Sequence, residues 1–147
     1  MYAGDVRPSR ESLEWVVSKV SVEPNETEHP FKLSFVKMKI DSLGAVKAAF
    51  RATNQSGATM KGNLCVKLND SDGMELGAMS PETFQAKSKR STTVTGWADL
   101  IDEAKNLRTL QAYIIKEVLC AEGPSEALSN VLKVVGKPGK RFKVAKP

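Results

Sequence analysis

Alternation is the strongest signal in this chain. In the stretch 46–70, VKAAFRATNQSGATMKGNLCVKLND, Val46, Ala48, Phe50 and Ala52 share one parity, and Lys47, Ala49, Arg51 and Thr53 share the other. Leu64, Val66 and Leu68 then alternate with Cys65, Lys67 and Asn69. A period of two marks a strand with one buried face. Thr53-Asn54-Gln55-Ser56-Gly57, between the two runs, is turn chemistry. The pattern predicts a β-hairpin with a long loop, onto which the rest of the chain is built. A helix over 42–52 competes for the first run, because alanine is the best helix former.

Residues 31–41 form a second strong strand candidate. Phe31, Leu33 and Phe35 alternate in one parity, then Val36, Met38 and Ile40 in the other. A parity switch at Phe35-Val36 predicts a bulge there, or a strand buried on both faces. Residues 75–79 read as a short strand, and the Thr- and Val-rich run 91–97 as another. The predicted core comprises Leu33, Phe35, Met38, Ile40, Phe50, Leu64, Val66, Leu68, Ile114, Leu128 and Leu132.

Helical spacing enters at both ends. Leu13, Val16, Val17 and Val20 fall on one helical face behind Ser9 or Ser12 as cap, although Trp15-Val16-Val17 also suits the start of a strand. Leu100, Ala104 and Leu107 favour a helix over 99–106. Residues 107–119 stay open between helix and strand, leaning to strand. In 125–135, Ser125 and Glu126 open a first turn, Leu128, Val131, Leu132 and Val135 make one stripe, and Gly136 stops it. The expected fold class is therefore α+β: an antiparallel sheet or sandwich with helices at the N-terminus and in the C-terminal third. Residues 1–135 read as a single globular domain and 136–147 as a flexible basic tail.

Composition sharpens that last point. The 147 residues carry a net charge of +5, with 41% hydrophobic and 27% charged residues, as in a soluble domain with a real core. The charge is uneven. Lys133, Lys137, Lys140, Arg141, Lys143 and Lys146 lie together without an acid, while the first 132 residues hold 16 basic and 17 acidic groups. Clustered cations free of carboxylates bind phosphates, and Phe142 can stack on a base. Lys87, Lys89 and Arg90 extend the patch if the fold brings them near. The bland alternative is a solvated end that aids solubility.

Enzymatic chemistry is not evident. His29 is the single histidine, in a proline-bounded loop, and no GxSxG elbow accompanies it. Cys65 and Cys120 make no metal-spacing pattern and read as reduced, mostly buried thiols. Residues 69–73, NDSDG, resemble part of a calcium loop, but its end positions would fall on Leu68 and Met79, which are not oxygen ligands. Neither a cofactor nor a metal nor a small-molecule substrate is expected. Apolar runs of only a few residues, and no signal-peptide stretch near the N-terminus, point to the cytoplasm.

Leu68-Asn69-Asp70, at the end of a predicted strand, resembles the LxD signature of the thirty-kilodalton superfamily of plant-virus movement proteins. The resemblance covers roughly residues 31–119. It implies a jelly-roll-like β domain and a virus-encoded, non-enzymatic protein that binds single-stranded nucleic acid, RNA above all, and helps genomes pass between cells. Leu68 and Asp70 would then be structural, Asp70 stabilising the turn after the strand. Self-association and peripheral contact with anionic membranes are further expectations. A small viral matrix or coat protein and a cellular β-sandwich adaptor are the alternatives.

Overall fold

In a computed structural model the alternating segments become strands, and so do both ends where helices were expected. The structure describes residues 11–22, 29–41, 43–100, 103–116, 120 and 127–143. Eight strands follow in order: β1 (Glu11–Val22), β2 (Phe31–Asp41), β3 (Ala45–Asn54), β4 (Met60–Asn69), β5 (Glu75–Ala86), β6 (Ser91–Asp99), β7 (Thr109–Ile115) and β8 (Leu132–Lys143). A 3-10 turn spans Ala104–Asn106.

All the ladders are antiparallel, in the order β5-β4-β7-β8-β1-β2-β3-β6. The sheet curls until its two end strands meet: a Cβ on Gly96 of β6 would lie 2.8 Å from the Met79 sulfur of β5. The result is a nearly closed sandwich. β2, β3 and β6 make one layer, β4, β5 and β7 the other, and the long β1–β8 pair joins them. Inward residues from both layers fill one core, with Phe31 of β2 packed edge-on to Phe84 of β5 at 5.3 Å between ring centres. Nine of the eleven expected core residues are buried, and Phe35 and Leu128 pack partly buried against them.

The α+β expectation is corrected. In β1 the valines that suggested a helical stripe belong to an extended strand paired with β8 from Glu11↔Lys143 to Val22↔Leu132. β-branched side chains fit an extended backbone better than a helix. In the C-terminal third, residues 127–131 are not helical and Leu132 opens β8, while 121–126 lie outside the described residues. Gly136 does not stop a helix. It lies beneath Trp15, whose ring atoms would be 3.2 Å from a Cβ at this position. The helix expected over 99–106 shrinks to the 3-10 turn, with 101–102 outside the described residues. The segment 136–143, read as loose, continues β8.

The central hairpin is also corrected. Both of its strands exist, but β3 pairs with β2 and β6, whereas β4 pairs with β5 and β7. The chain crosses from one layer to the other between Asn54 and Met60. Asn54 is fully buried and fixes that crossing. Its Nδ2 donates to the carbonyls of Ala58 (2.8 Å) and Ala86 (2.9 Å), and its Oδ1 accepts from the Ser56 N–H (2.9 Å) and hydroxyl (2.7 Å). Alternation gives each strand one inward face, a condition met equally by neighbours in a ladder and by strands opposed across a core. The predicted bulge is present: the β2–β3 register shifts between Phe35 and Lys37.

The cysteines are not reduced thiols. Cys65 of β4 and Cys120 are joined in a disulfide with Cα atoms 5.9 Å apart. The bridge fastens the β7–β8 connection over the outer face of β4 and β7, where Cys65, Tyr113, Ile115 and Val131 form a second small core. Their sequence separation of 55 carries no motif, so only the topology brings them together.

Candidate nucleic-acid interface

Cys120, Ala127 and Val131 pack on the outside of β4 and β7, whereas β2, β3 and β6 present an open outward face. Registers place its residues in rows: Lys32–Thr53–Ser91, Ser34–Arg51–Thr93, Lys37–Ala49–Thr95 and Lys39–Lys47–Trp97. Lys32, Lys37, Lys39, Lys47 and Arg51 are all exposed, and none of these rows contains a carboxylate. The nearest acids in the ladders bound the patch at one end: Glu14 stands opposite Lys39 on β1, and Asp41 and Asp99 end β2 and β6.

Trp97 completes the last row. Its parity along β6 is that of Thr93 and Thr95, facing out, and it is 62% exposed beside Lys47. A large aromatic ring left in water among cations suits base stacking and cation–π contact. Cations at successive outward positions of a strand stand about 6.7 Å apart, and neighbouring strands about 4.8 Å apart. That is a grid over which a flexible phosphate chain can lie.

The residues expected to bind nucleic acid fall into two groups. Lys87, Lys89 and Arg90 form the β5–β6 turn, closed by the Arg90 N–H donating to the Lys87 carbonyl at 3.1 Å, with Lys89 at φ 60°. The Lys89 ammonium donates to the Gln55 carbonyl. This turn adjoins the Lys32–Thr53–Ser91 row, where the Thr53 and Ser91 hydroxyls are 2.8 Å apart, so it lengthens the basic face. Lys133 and Lys137 are exposed on β8, two places from β2 with β1 between. Lys140, Arg141, Phe142 and Lys143 occupy later positions of β8, and Lys146 lies outside the described residues. Between Lys133, Lys137 and the β2-β3-β6 face stands β1.

Sequence reasoning missed that face. The signal was there: the polar parity of β2 and of β3 is rich in cations, and Trp97 sits on the polar parity of β6. Leu68 is buried, and the Asp70 carboxylate accepts the Asp72 and Met74 N–H groups at 2.9 Å each, holding the β4–β5 turn. That geometry describes the turn, with no bound cation implied, and among the described residues no group of three His, Cys, Asp or Glu side chains is arranged to hold a metal. Nor, among them, is any helix long and apolar enough to cross a membrane.

No protein-family model matches the chain, and no curated protein does. Among solved structures, this chain is similar to a β-glucosidase from Kluyveromyces marxianus in complex with glucose, at 11% identity and a TM-score of 0.45. The match covers 82% of this chain and 15% of that one. At that level the likeness carries no argument about fold or activity.

Proposed function

We propose that this protein binds single-stranded nucleic acid, RNA in the first instance, on the outward face of β2, β3 and β6, and does so without catalysing a reaction. One observation carries the reading: five cations and an exposed tryptophan share four cross-strand rows that contain no carboxylate. Phosphates are held by charge with little sequence preference. An unpaired base gains a stacking surface on Trp97, whereas a duplex keeps its bases stacked on one another. The Cys65–Cys120 disulfide lies on the other layer, so its reduction leaves the face intact. Transport of a viral genome between cells is a narrower form of the proposal, resting on Leu68-Asn69-Asp70.

The test is titration of single-stranded RNA, single-stranded DNA and duplex against the protein over a salt series. Five neutralised phosphates give a log–log slope of about −3.5, at roughly −0.7 per phosphate. Reversing Lys39 and Lys47 together to Glu abolishes most of the binding. Trp97→Ala weakens it by about 1–3 kcal/mol without changing the slope. Trp15 is buried, so quenching of exposed tryptophan by bound oligonucleotide reports on Trp97. Equal affinity of wild type and the Lys39→Glu/Lys47→Glu variant rejects the proposal.

A further inference from the structure

The sheet is split beside this face. β1 and β2 pair only at Ser12↔Asp41, Leu13↔Ile40 and Glu14↔Lys39 and then diverge. The gap opens into a cleft of about 580 Å³, within the range of small-molecule sites. Its walls carry two independent deficits. Val20 and Val22 pair with Val134 and Leu132, both buried inward residues, yet they are 47% and 55% exposed, and among the described residues no strand pairs with them on the β2 side. Apolar side chains facing inward are ordinarily covered. In the same wall the His29 Nε2 is buried and has no hydrogen-bond partner. Buried polar atoms are seldom left so.

Part of the split is already bridged. The Asn130 carboxamide takes the place of a neighbouring strand: its Oδ1 accepts the Leu33 N–H at 2.8 Å and its Nδ2 donates to the Leu33 carbonyl at 3.0 Å. One N–H and one lone pair of that amide are left for a ligand. Phe35 supplies an aromatic wall. Lys32 belongs both to the cleft rim and to the first row of the basic face, so a strand lying on that face passes the opening.

We infer that the cleft between β1 and β2 receives a nucleobase of the single strand bound on the adjoining face. This rests on the function proposed above and adds base recognition to it. Val20, Val22 and Phe35 cover the faces of the base, while His29 and Asn130 meet its polar edge. A planar heterocycle with donors and acceptors on its rim satisfies both deficits, the uncovered valines and the orphaned imidazole nitrogen. An aliphatic chain would satisfy only the first.

The experiment compares an oligonucleotide with an abasic oligomer of equal length and charge, both measured against the full-length chain over the same salt series. Trp97→Ala is used as the background, so that stacking on the open face does not contribute. There the base-bearing oligomer is expected to bind at least fivefold tighter than the abasic one. Val20→Trp, which fills the cleft from an exposed position, and His29→Ala should each erase that ratio and leave the salt slope unchanged. Equal binding of both oligomers by Trp97→Ala, with the slope retained, overturns the cleft assignment and leaves the proposed function standing. Survival of the ratio in Val20→Trp also overturns it. Failure of the wild-type protein to bind either oligomer refutes the proposed function, and the cleft assignment falls with it.

Discussion

Breaking the Cys65–Cys120 bridge should cost this protein a large part of its stability while sparing its basic face. The disulfide closes a loop over a sequence separation of 55. In the chain-entropy treatment, opening such a loop releases the unfolded chain by about 14 cal/mol/K, or about 4 kcal/mol at 25 °C, the upper end of what native disulfides contribute. The folded state loses something too. Cys65 is buried with Tyr113, Ile115 and Val131, and the bridge holds the β7–β8 connection over them. For a chain of this length, 4 kcal/mol corresponds to a fall in Tm of roughly 8–16 °C.

Two routes measure it. One is the Cys65→Ala/Cys120→Ala variant, and the other is wild type with a thiol reductant. Alanine is preferred to serine because a hydroxyl would be buried unpaired in an apolar cluster. Thermal unfolding followed by circular dichroism should show the same fall by both routes. Alkylation and mass measurement of the untreated protein should find no free thiol. A loss below about 1 kcal/mol, less than the range usual for a native bridge, or two alkylated cysteines without reductant, would refute the staple. Single-strand affinity should be equal in all three samples, because β4 and β7 are remote from the β2-β3-β6 face in the strand order.

Three further outcomes are expected. Asn54→Ala removes the side-chain partner of the buried Ala86 carbonyl and of the Ser56 N–H at the layer crossing, and should cost about 1–3 kcal/mol in denaturant unfolding. Tyr113 is buried with its hydroxyl unpartnered, and burial, aided by the charge of Glu75, raises its pKa. The unfolded phenol therefore ionises first, so stability should fall as pH rises above about 10; Tyr113→Phe should flatten that fall and should not destabilise at pH 7. Gly136→Val places a side chain against the Val16 carbonyl and the Trp15 ring, and should disturb Trp15 emission and lower Tm by several degrees, whereas a helix-stop glycine would give no tryptophan signal.

Local periodicity was legible and pairing was not. The runs in β2, β3 and β6 alternate cleanly because each has one face in the core, and that in β4 alternates although the second small core covers its outer face as well. Even the bulge at Phe35–Lys37 was visible, because a bulge inverts parity. Which strands are neighbours depends on contacts far apart in sequence, and a polar loop after Asn54 suits a hairpin as well as a crossing. β8 was opaque for a different reason. Its Gly136, Pro138 and Gly139 look like a loop composition, but Gly136 and Gly139 permit close approach to Trp15 and Val16 of β1. Pro138 pairs with Trp15 beyond the end of the β7 ladder at Val135, where its missing N–H leaves no ladder bond to β7 unmade.

The candidate site eluded the sequence for a reason that its charge distribution makes plain. Summed along the chain, the first 132 residues are almost neutral, and only the last fifteen look basic. Binding partners meet faces, not windows of sequence. Lys32, Lys37 and Lys39 alternate in β2 with Leu33, Met38 and Ile40, and Lys47 and Arg51 alternate in β3 with Val46, Phe50 and Ala52. Period two sends every cation of these strands to one side, and antiparallel register aligns them across the sheet. Neighbouring acids are held back to Glu14, Asp41 and Asp99 at one margin. Like charges set side by side repel and weaken a sheet, and Lys39 stands directly opposite Lys47, with Glu14 of β1 on its other side to offset part of that cost. A partner that brings negative charge to the pair removes that cost. If this is the reason for the arrangement, replacing Lys39 with Thr should raise thermal stability at low salt while weakening nucleic-acid binding, and the stability gain should shrink as salt screens the repulsion. A Lys39→Thr protein that loses both stability and binding would show instead that the lysine serves the fold.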